Sequence, residues 1–311
     1  MQCLLCNSTK QVIVRDTLRY GVKRKVLRCA LCSFEFLEPL KQIGEDYYSS
    51  TRYRSNHGPN LRKISTSQEI FQTYLPYQQK IIQELEREKI ISPRTRVLDV
   101  GCSTGHLLAA LKGRVGKRVG LELDASAAAF IKKHLDFPVY ETPIEKAEIR
   151  EGPFDLITSI ETLEHISDPL PFLHGIGRQL AKTGQVYIEV PNLNDALMSL
   201  YQVKEYVDFY YREPHVSYFT ERSLMRLMKK AGFTGRVKTA QRYYFLNHMH
   251  WWLMRKPQDN FTLAMEGPEL VQKKKTKALE IFLEETNERY KKLLQKQGAG
   301  DILIFLGTRT P

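Results

Sequence analysis

The sequence lacks the features of membrane-spanning and secreted proteins. None of its apolar runs approaches the roughly 18 to 20 residues that cross a bilayer, and residues 1–10 have neither the basic start nor the apolar run of a secretory signal. Tryptophan occurs only twice and cysteine five times in 311 residues, and we find no internal repeat or low-complexity segment. Hydrophobic residues make up 42% and charged residues 26% of the chain, which is typical of globular proteins. We therefore expect a folded protein of the cytoplasm.

Basic residues outnumber acidic ones in two peripheral segments. The formal net charge is +12. Residues 1–41 hold eight basic and three acidic side chains, and residues 272–296 hold eight basic and four acidic ones, so most of the excess lies outside the body of the chain. Such segments are either solvated surfaces or basic arms that bind an anionic partner such as nucleic acid.

Four of the five cysteines form two short pairs, Cys3-Leu-Leu-Cys6 and Cys29-Ala-Leu-Cys32, separated by 22 residues. Two such pairs place four thiolates tetrahedrally around Zn²⁺, and the β-prone stretch 12–27 between them predicts a hairpin. Disulfides are rare without secretion, and a redox Cys-x-x-Cys usually occurs once, beside a βαβ unit. The spacing therefore predicts a zinc ribbon. Because all four ligands are thiolates, no position is left for a metal-bound water, and we expect the zinc to be structural.

From residue 96 onward, short apolar strands alternate with helical segments, which indicates an α/β fold with a doubly wound, mostly parallel sheet. A further helix is predicted over 78–89 and ends before Ser92-Pro93. The predicted strands of the sheet are 97–100, 119–123, 154–159, 186–190 and 301–306. The predicted domains are a zinc ribbon over 1–41, a tyrosine-rich linker or lid over 42–74, and an α/β domain over 75–311 with a helical insertion at about 249–298 before the last strand.

A glycine turn joins the first of these strands to a helix, in Asp99-Val100-Gly101-Cys102-Ser103-Thr104-Gly105. Gly101 and Gly105 permit a tight turn and a close approach of a ligand to the N–H groups that open the helix. The turn fits neither Gly-x-Gly-x-x-Gly nor a P-loop, since no Lys-Ser/Thr follows the second glycine. Glu122 ends the next strand, 23 residues after Asp99, where a carboxylate can accept both hydroxyls of a ribose.

This combination, Asp-x-Gly-x-x-x-Gly followed by an acid at the end of the second strand, resembles the class I S-adenosylmethionine-dependent methyltransferases. Later segments resemble one branch of that superfamily, which often carries an amino-terminal four-cysteine module as well. Ser103 departs from the pattern, because a glycine is common at its position, and Lys182-Thr183-Gly184 replaces Lys-Pro-Gly-Gly. The resemblance covers about residues 75–245 and the last strand, and its later segments are 139–145, 154–158, 163–169, 189–192, 215–220 and 231–233.

The resemblance implies a Rossmann-like enzyme that binds S-adenosylmethionine. Asp99, Gly101 and Gly105 would frame the methionine end of the cofactor. Glu122 would hold the ribose, and residues 142–144 would flank the adenine. Cys102 would pack within the turn and not act as a nucleophile, because the methyl group is transferred in line without a covalent enzyme intermediate. The candidate cofactor-binding residues are Asp99, Gly101, Cys102, Ser103, Gly105, Glu122, Thr142, Ile144 and Ser159.

A second candidate group follows the predicted strand 154–159, in Glu161-Thr162-Leu163-Glu164-His165. If this stretch forms a helical turn, Glu161, Glu164 and His165 lie on one side of it. Similar O-methyltransferases of ubiquinone synthesis and of small-RNA 3′ ends bind Mg²⁺ or a related ion through Glu-x-x-Glu-His, and the RNA enzymes add a distant histidine, for which His215 is the candidate. Three catalytic interpretations stay open: a site for Mg²⁺ or another divalent ion, a metal-free base at His165, and a purely positional role.

An aromatic stretch lies at 241–252, which the resemblance places at the end of the sixth strand of the fold. It is either a lid over the acceptor or the packing surface of an added helix. A helix predicted over 268–297 would bury the stripe Leu279, Phe282, Leu283, Thr286, Tyr290 and Leu293.

Three functions fit these patterns. The leading one is methylation of a hydroxyl on a small molecule or a glycoconjugate precursor, because the body of the chain is nearly neutral and the branch resembles methyltransferases of natural-product and surface-polysaccharide pathways. The alternative is RNA methylation, with the ribbon and residues 272–296 as basic arms. The third is a cofactor-binding scaffold without catalysis, which the presence of Glu161, Glu164 and His165 disfavours.

Overall fold

The structure is a computed structural model that describes residues 2–39, 66–270 and 273–310. The predicted linker or lid at 42–74 lies outside the described residues as far as residue 65, and the predicted domain boundaries stay predictions. No helix within the described ranges is long and apolar enough to cross a membrane. The strands are β1 Gln11–Thr17, β2 Lys23–Cys29, β3 Glu35–Leu37, β4 Arg96–Val100, β5 Lys117–Leu121, β6 Val139–Tyr140, β7 Phe154–Ile160, β8 Leu180–Pro191, β9 Ser217–Tyr218, β10 Phe233–Ala240 and β11 Ile302–Arg309. The helices are α1 Ser67–Tyr74, α2 Gln78–Arg87, α3 His106–Ala110, α4 Ala125–His134, α5 Pro169–Gln179, α6 Ala196–Ser199, α7 Lys204–Tyr210, α8 Glu221–Lys230, α9 Phe245–Met254, α10 Phe261–Glu266 and α11 Lys273–Lys296.

Seven strands form the central sheet, in the order β10, β11, β8, β7, β4, β5, β6. β4 pairs in parallel with β5 and with β7, β5 pairs in parallel with β6, and β7 with β8. The strand residues Val97, Leu98, Leu156 and Ile157 are fully buried, as expected when helices cover both faces of a parallel sheet. The predicted α/β fold with a doubly wound, mostly parallel sheet is therefore confirmed.

A second, antiparallel sheet has the order β1, β2, β3, β9. We call residues 2–38, which contain the first three of these strands, the ribbon. β1 and β2 form the hairpin that the sequence predicts between the two cysteine pairs. β3 then pairs with β9, from far along the chain, so that Glu35 faces Tyr218 and Phe36 faces Ser217. The sequence does not predict this pairing, because β9 is only two residues long.

The described residues fall into two compact units, which we treat separately. The first comprises Met1–Glu38, Val190–Leu224 and Val237–Ile304, and the second comprises Pro39–Glu189, Met225–Arg236 and Phe305–Pro311. The first unit joins the ribbon to α6, α7, α9, α10 and α11. One part of its core, built from the ribbon and from residues around the end of α7, consists of Leu18, Val26, Leu37, Tyr210, Tyr211 and Tyr218.

The predicted buried stripe of α11 is partly wrong. Three of its members, Leu279, Phe282 and Leu293, are 49 to 61% exposed. The buried face instead carries Asn287, Lys291 and Leu294. Oδ1 of Asn287 accepts the backbone N–H of Phe245 at 3.1 Å. This bond gives one of the first N–H groups of α9 an acceptor from outside that helix.

Candidate functional site

The glycine turn after β4 accepts only glycine at two positions. Gly101 and Gly105 both have a φ of +78°, which other residues rarely adopt. A Cβ atom at Gly101 would lie 2.3 Å from Oγ1 of Thr162, and one at Gly105 would lie 2.8 Å from Cζ of Phe137. Neither position has room for a side chain, so both glycines are required for the shape of the turn.

Glu122 accepts a hydrogen bond from the backbone of this turn. Its Oε2 accepts the backbone N–H of Ser103 at 2.7 Å, and its Oε1 accepts that of Asp124 at 2.8 Å. Burial raises the pKa of Glu122, and the two N–H donors oppose that rise. The carboxylate of Asp124 is used differently, because it caps α4 by accepting the N–H groups of Ser126 and Ala127. Of the two acids that follow β5, Glu122 is thus the one bonded to the glycine turn.

Asp99, in β4, is buried near Glu122. Oγ1 of Thr158 donates to its Oδ1 at 2.7 Å, and the two residues face each other across the parallel pair of β4 and β7. Burial, with the charge of Glu122 nearby, raises the pKa of Asp99 to about 7. Two buried acids so close together fit a cationic ligand. S-adenosylmethionine carries an ammonium and a sulfonium group, so the residues present fit this cofactor.

The remaining predicted cofactor residues differ in exposure. Cys102 is buried against Gly120, and burial raises the pKa of its thiol well above the usual value, which does not suit a nucleophile. Thr142 is exposed, whereas Ile144 and Ser159 are buried. Among the described residues, Oγ of Ser159 has no hydrogen-bond partner. A buried hydroxyl in that state is costly, and a ligand at the end of β7 would relieve the cost.

The Glu-x-x-Glu-His stretch forms a short 3₁₀ turn over Leu163–His165. Glu164 is buried, and its Oε1 lies 3.7 Å from Nε2 of His165. Glu161 is exposed and has a φ of +47°, a strained value for glutamate, while its N–H donates to the carbonyl of Glu189 at 2.8 Å. Glu164 and His165 therefore form a carboxylate and imidazole pair shortly after β7.

His215 belongs to the first unit and contacts an arginine there. Nε of Arg212 donates to Nε2 of His215 at 2.8 Å. The hydroxyl of Tyr218 fixes the same arginine by bonding its backbone N–H and carbonyl, each at 3.2 Å. A metal ion would compete with a guanidinium for Nε2 of His215, which counts against coordination through that nitrogen. Membership of His215 in the acceptor site stays a prediction.

The sulfur atoms of the four ribbon cysteines, Cys3, Cys6, Cys29 and Cys32, all lie within 4.8 Å of one another. The pairs Cys3 with Cys32 and Cys6 with Cys29 are 3.5 Å apart, and all four residues are free thiols. In a tetrahedral site with Zn–S bonds of about 2.3 Å, the sulfurs are about 3.8 Å apart. The four thiols thus fit one Zn²⁺.

The basic residues of the ribbon are largely engaged in internal contacts. Arg15 and Arg19 donate to backbone carbonyls of α7. Arg24 donates to a carbonyl shortly after α7, and Arg28 pairs with Glu35 at 2.7 Å. These arginines are not a free cationic surface, so the ribbon gives little support to the RNA alternative.

The aromatic stretch after β10 packs within the first unit. Nδ1 of His248 lies 2.7 Å from the hydroxyl of Tyr290, and Nε2 lies 3.2 Å from the amide nitrogen of Gln241. Burial lowers the pKa of His248 to about 4. Trp251 is buried, with its ring centre 5.0 Å from that of Tyr206. For these residues the packing interpretation is favoured over a lid.

Three residues make contacts in these sites that the sequence does not predict: Thr158, Thr162 and Arg212. Thr158 pairs with Asp99 on the neighbouring strand. The contact can be predicted from the sequence only if the order of the strands in the sheet is assumed. Thr162 lies close to Gly101, and the sequence does not predict the turn that brings it there. Arg212 precedes His215 by three residues, which is too common a spacing to be diagnostic.

The sheet order, the glycine turn and the acid bonded to it define a Rossmann-like methyltransferase fold. The family described as a methyltransferase domain matches residues 71–236, a little over half of the chain. The chain therefore belongs to this family and contains a class I S-adenosylmethionine-dependent methyltransferase domain.

Curated relatives match a shorter stretch. The chain is 33% identical over 104 residues to the ubiquinone biosynthesis O-methyltransferase of Sodalis glossinidius, over 32% of this chain and 42% of that protein. It is 36% identical over 107 residues to the enzyme of the same name from Klebsiella pneumoniae, over 32% of this chain and 43% of that protein. The chain thus spans less than half the length of these relatives. A solved S-adenosylmethionine-dependent methyltransferase from Archaeoglobus fulgidus is 15% identical, with a TM-score of 0.47, over 77% of this chain and 99% of its own.

Proposed function

We propose that this protein transfers the methyl group of S-adenosylmethionine to a hydroxyl of a small molecule. The observation that carries the proposal is the buried carboxylate of Glu164, 3.7 Å from the imidazole of His165, shortly after the strand that contacts Asp99. The names of the curated relatives, which are O-methyltransferases, support oxygen as the acceptor atom. A glycoconjugate precursor is a narrower form of the same proposal and has no support of its own.

The proposed roles follow from the positions of the residues. Bound S-adenosylmethionine supplies a methyl group made electrophilic by its sulfonium sulfur. Glu122 holds the ribose, and ionised Asp99 faces the amino end of the cofactor. His165 removes the proton of the acceptor hydroxyl as the oxygen attacks, and Glu164 stabilises the imidazolium that results. Because His165 is only partly buried, it can pass this proton to water.

A divalent ion at Glu161, Glu164, His165 and His215 is the alternative mechanism. Such an ion would polarise the acceptor hydroxyl and lower its pKa. The guanidinium of Arg212 on Nε2 of His215 supports the metal-free form, and the effect of EDTA distinguishes the two mechanisms.

Labelled S-adenosylmethionine and fractionated metabolite extracts would identify the acceptor. With that acceptor, His165→Ala should lower kcat by about 10² to 10⁴, and EDTA should have no effect. The exposed histidine His174 provides the control, since His174→Ala should leave kcat unchanged.

Loss of transfer in EDTA that Mg²⁺ or Mn²⁺ restores would establish the metal mechanism. Methylation of a nitrogen or carbon would contradict the proposal, and near wild-type kcat in His165→Ala would make the histidine positional.

We also propose that the ribbon binds one structural Zn²⁺ through Cys3, Cys6, Cys29 and Cys32. The sulfur distances support this proposal. Protein purified without added metal should contain about one zinc per chain by elemental analysis. Cys29→Ser should lose most of that zinc, whereas Cys102→Ser, which alters the thiol outside the ribbon, should keep it. A wild-type protein without zinc would refute the site.

A further inference from the structure

The second cysteine pair of the ribbon leads directly into β3. This strand begins at Glu35, three residues after Cys32. β3 pairs with β9 in antiparallel register, and the N–H of Leu37 donates to the carbonyl of Val216 at 2.9 Å. A metal held by Cys29 and Cys32 would therefore fix the position of β3, the strand with which β9 pairs.

Side chains add to this pairing. Glu35 is only 2% exposed, and its Oε2 accepts the hydroxyl of Tyr211 at 2.7 Å while its Oε1 accepts Arg28. The backbone N–H of Arg19 donates to the carbonyl of Tyr211 at 2.7 Å, and the guanidinium of Arg19 lies 3.4 Å from the ring centre of Phe209. The ribbon thus holds residues 206–219, which we call the β9 segment, through both backbone and side-chain contacts.

The β9 segment carries Arg212 and His215, and it ends where Phe219 bridges to Asn192 at the end of β8. The position of the His215 imidazole therefore depends on how firmly β9 is held. Besides Trp251, which packs on Tyr206, and Asp195, which accepts the hydroxyl of Tyr206, the contacts that hold the β9 segment come from the ribbon.

We propose that the zinc ribbon is a brace that positions the β9 segment, with Glu35 and Tyr211 as its positioning residues. This inference rests on the proposed zinc site and on the predicted acceptor-site role of His215. Removal of the metal would loosen the β9 segment. It would leave cofactor binding intact, because the residues assigned to the cofactor belong to the second unit.

Hydrogen exchange of the full-length protein, followed by mass spectrometry, tests the brace. In Cys29→Ser/Cys32→Ser, peptides from 206–219 should exchange roughly tenfold faster, while peptides from 96–121 and the affinity for S-adenosylhomocysteine stay as in the wild type. Glu35→Gln and Tyr211→Phe should keep their zinc and show the same local acceleration. Tyr140→Phe is the matched control, since Tyr140 also bonds a glutamate, Glu151 at 2.6 Å, but in the second unit.

The outcomes separate the two proposals. Wild-type protein without zinc would overturn the zinc site and the brace with it. Zinc that binds, with exchange over 206–219 unchanged in the cysteine variant and in Glu35→Gln, would overturn the brace alone. If the cysteine variant does not fold, the zinc-loaded Glu35→Gln and Tyr211→Phe proteins decide. With the acceptor in hand, these two variants should raise its KM and leave the KM of S-adenosylmethionine unchanged.

Discussion

Ser103 donates its backbone N–H to Oε2 of Glu122 at 2.7 Å, so the acid predicted to hold the ribose also fastens the glycine turn. The other oxygen of Glu122 is bonded to the N–H of Asp124. If Glu122 holds the ribose as proposed, order in the turn and affinity for the cofactor should depend on the same carboxylate.

Replacement of Glu122 by alanine should weaken cofactor binding at least tenfold. Charge-assisted hydrogen bonds are worth roughly 1.5 to 3 kcal/mol each, and the variant loses those to the ribose as well as those that fix the turn. Titration calorimetry with S-adenosylhomocysteine measures the change. Asp124→Ala is the control, since it removes the α4 cap, at a cost of about 1 kcal/mol in stability, and should leave the affinity intact. Equal affinities of wild type and Glu122→Ala would mean that another group holds the ribose.

Gly101→Ala should destabilise the protein by several kcal/mol, because its new Cβ would lie 2.3 Å from Oγ1 of Thr162. Gly113→Ala is the control, because it measures the cost of the positive φ without a clash. Gly113 has a φ of +76°, and a Cβ added there would have no other atom within 4 Å. This variant should therefore lose only about 1 to 2 kcal/mol of stability. In urea denaturation, Thr162→Ala should recover part of the loss in the double variant. Additive effects of the two changes would show that the clash with Thr162 is relieved by other movements.

The parallel sheet and the cofactor turn were predictable because their signals are local. β4, the glycine turn and the acid after β5 lie within a 27-residue stretch, 96–122, and residues other than glycine rarely adopt the φ values of the two glycines. The sequence predicts which residue types, an acid and a histidine, follow β7. It does not predict that Glu161 is exposed while Glu164 is buried. That difference depends on the positive φ of Glu161, which no residue type in the stretch demands.

The missed features depend on partners far apart in the chain. β9 exists because β3, about 180 residues earlier, offers it an edge. The buried face of α11 carries Asn287, which accepts the backbone N–H of Phe245 at the start of α9. A pattern of apolar residues within one helix carries no information about a distant helix start.

His248 should make stability depend on pH. Its pKa of about 4 in the folded protein lies below the usual 6.5, so its contribution is complete above pH 6.5 and is lost as the pH falls toward 4. Because one pKa unit corresponds to about 1.4 kcal/mol, this histidine should account for a loss of up to about 2 kcal/mol between pH 7 and 5. Urea midpoints at the two pH values should differ less in His248→Gln than in wild type. The exposed His174→Gln should match the wild type, and an identical pH response of His248→Gln would contradict the assignment.

Asp99 should make cofactor affinity depend on pH. Its pKa of about 7 without ligand means that the carboxyl is protonated below pH 7, and a protonated carboxyl cannot pair with the ammonium group of the cofactor. Binding then requires release of the proton, so affinity for S-adenosylhomocysteine should rise by up to about tenfold per pH unit below 7 and level off above it. By the same linkage, the unliganded protein should lose stability as the pH rises from about 4 to 7, because the folded state keeps a proton that the unfolded state has released.

Calorimetry in two buffers of different ionisation enthalpy should detect this proton at pH 6. Asp99→Asn should bind weakly and without pH dependence over the same range. Thr158→Val offers a sharper check, since the hydrogen bond from Thr158 lowers the pKa of Asp99 and its loss should move the rise in affinity to higher pH. A wild-type affinity that is constant from pH 5.5 to 7.5, with no proton released, would show that Asp99 does not face the cationic end of the cofactor.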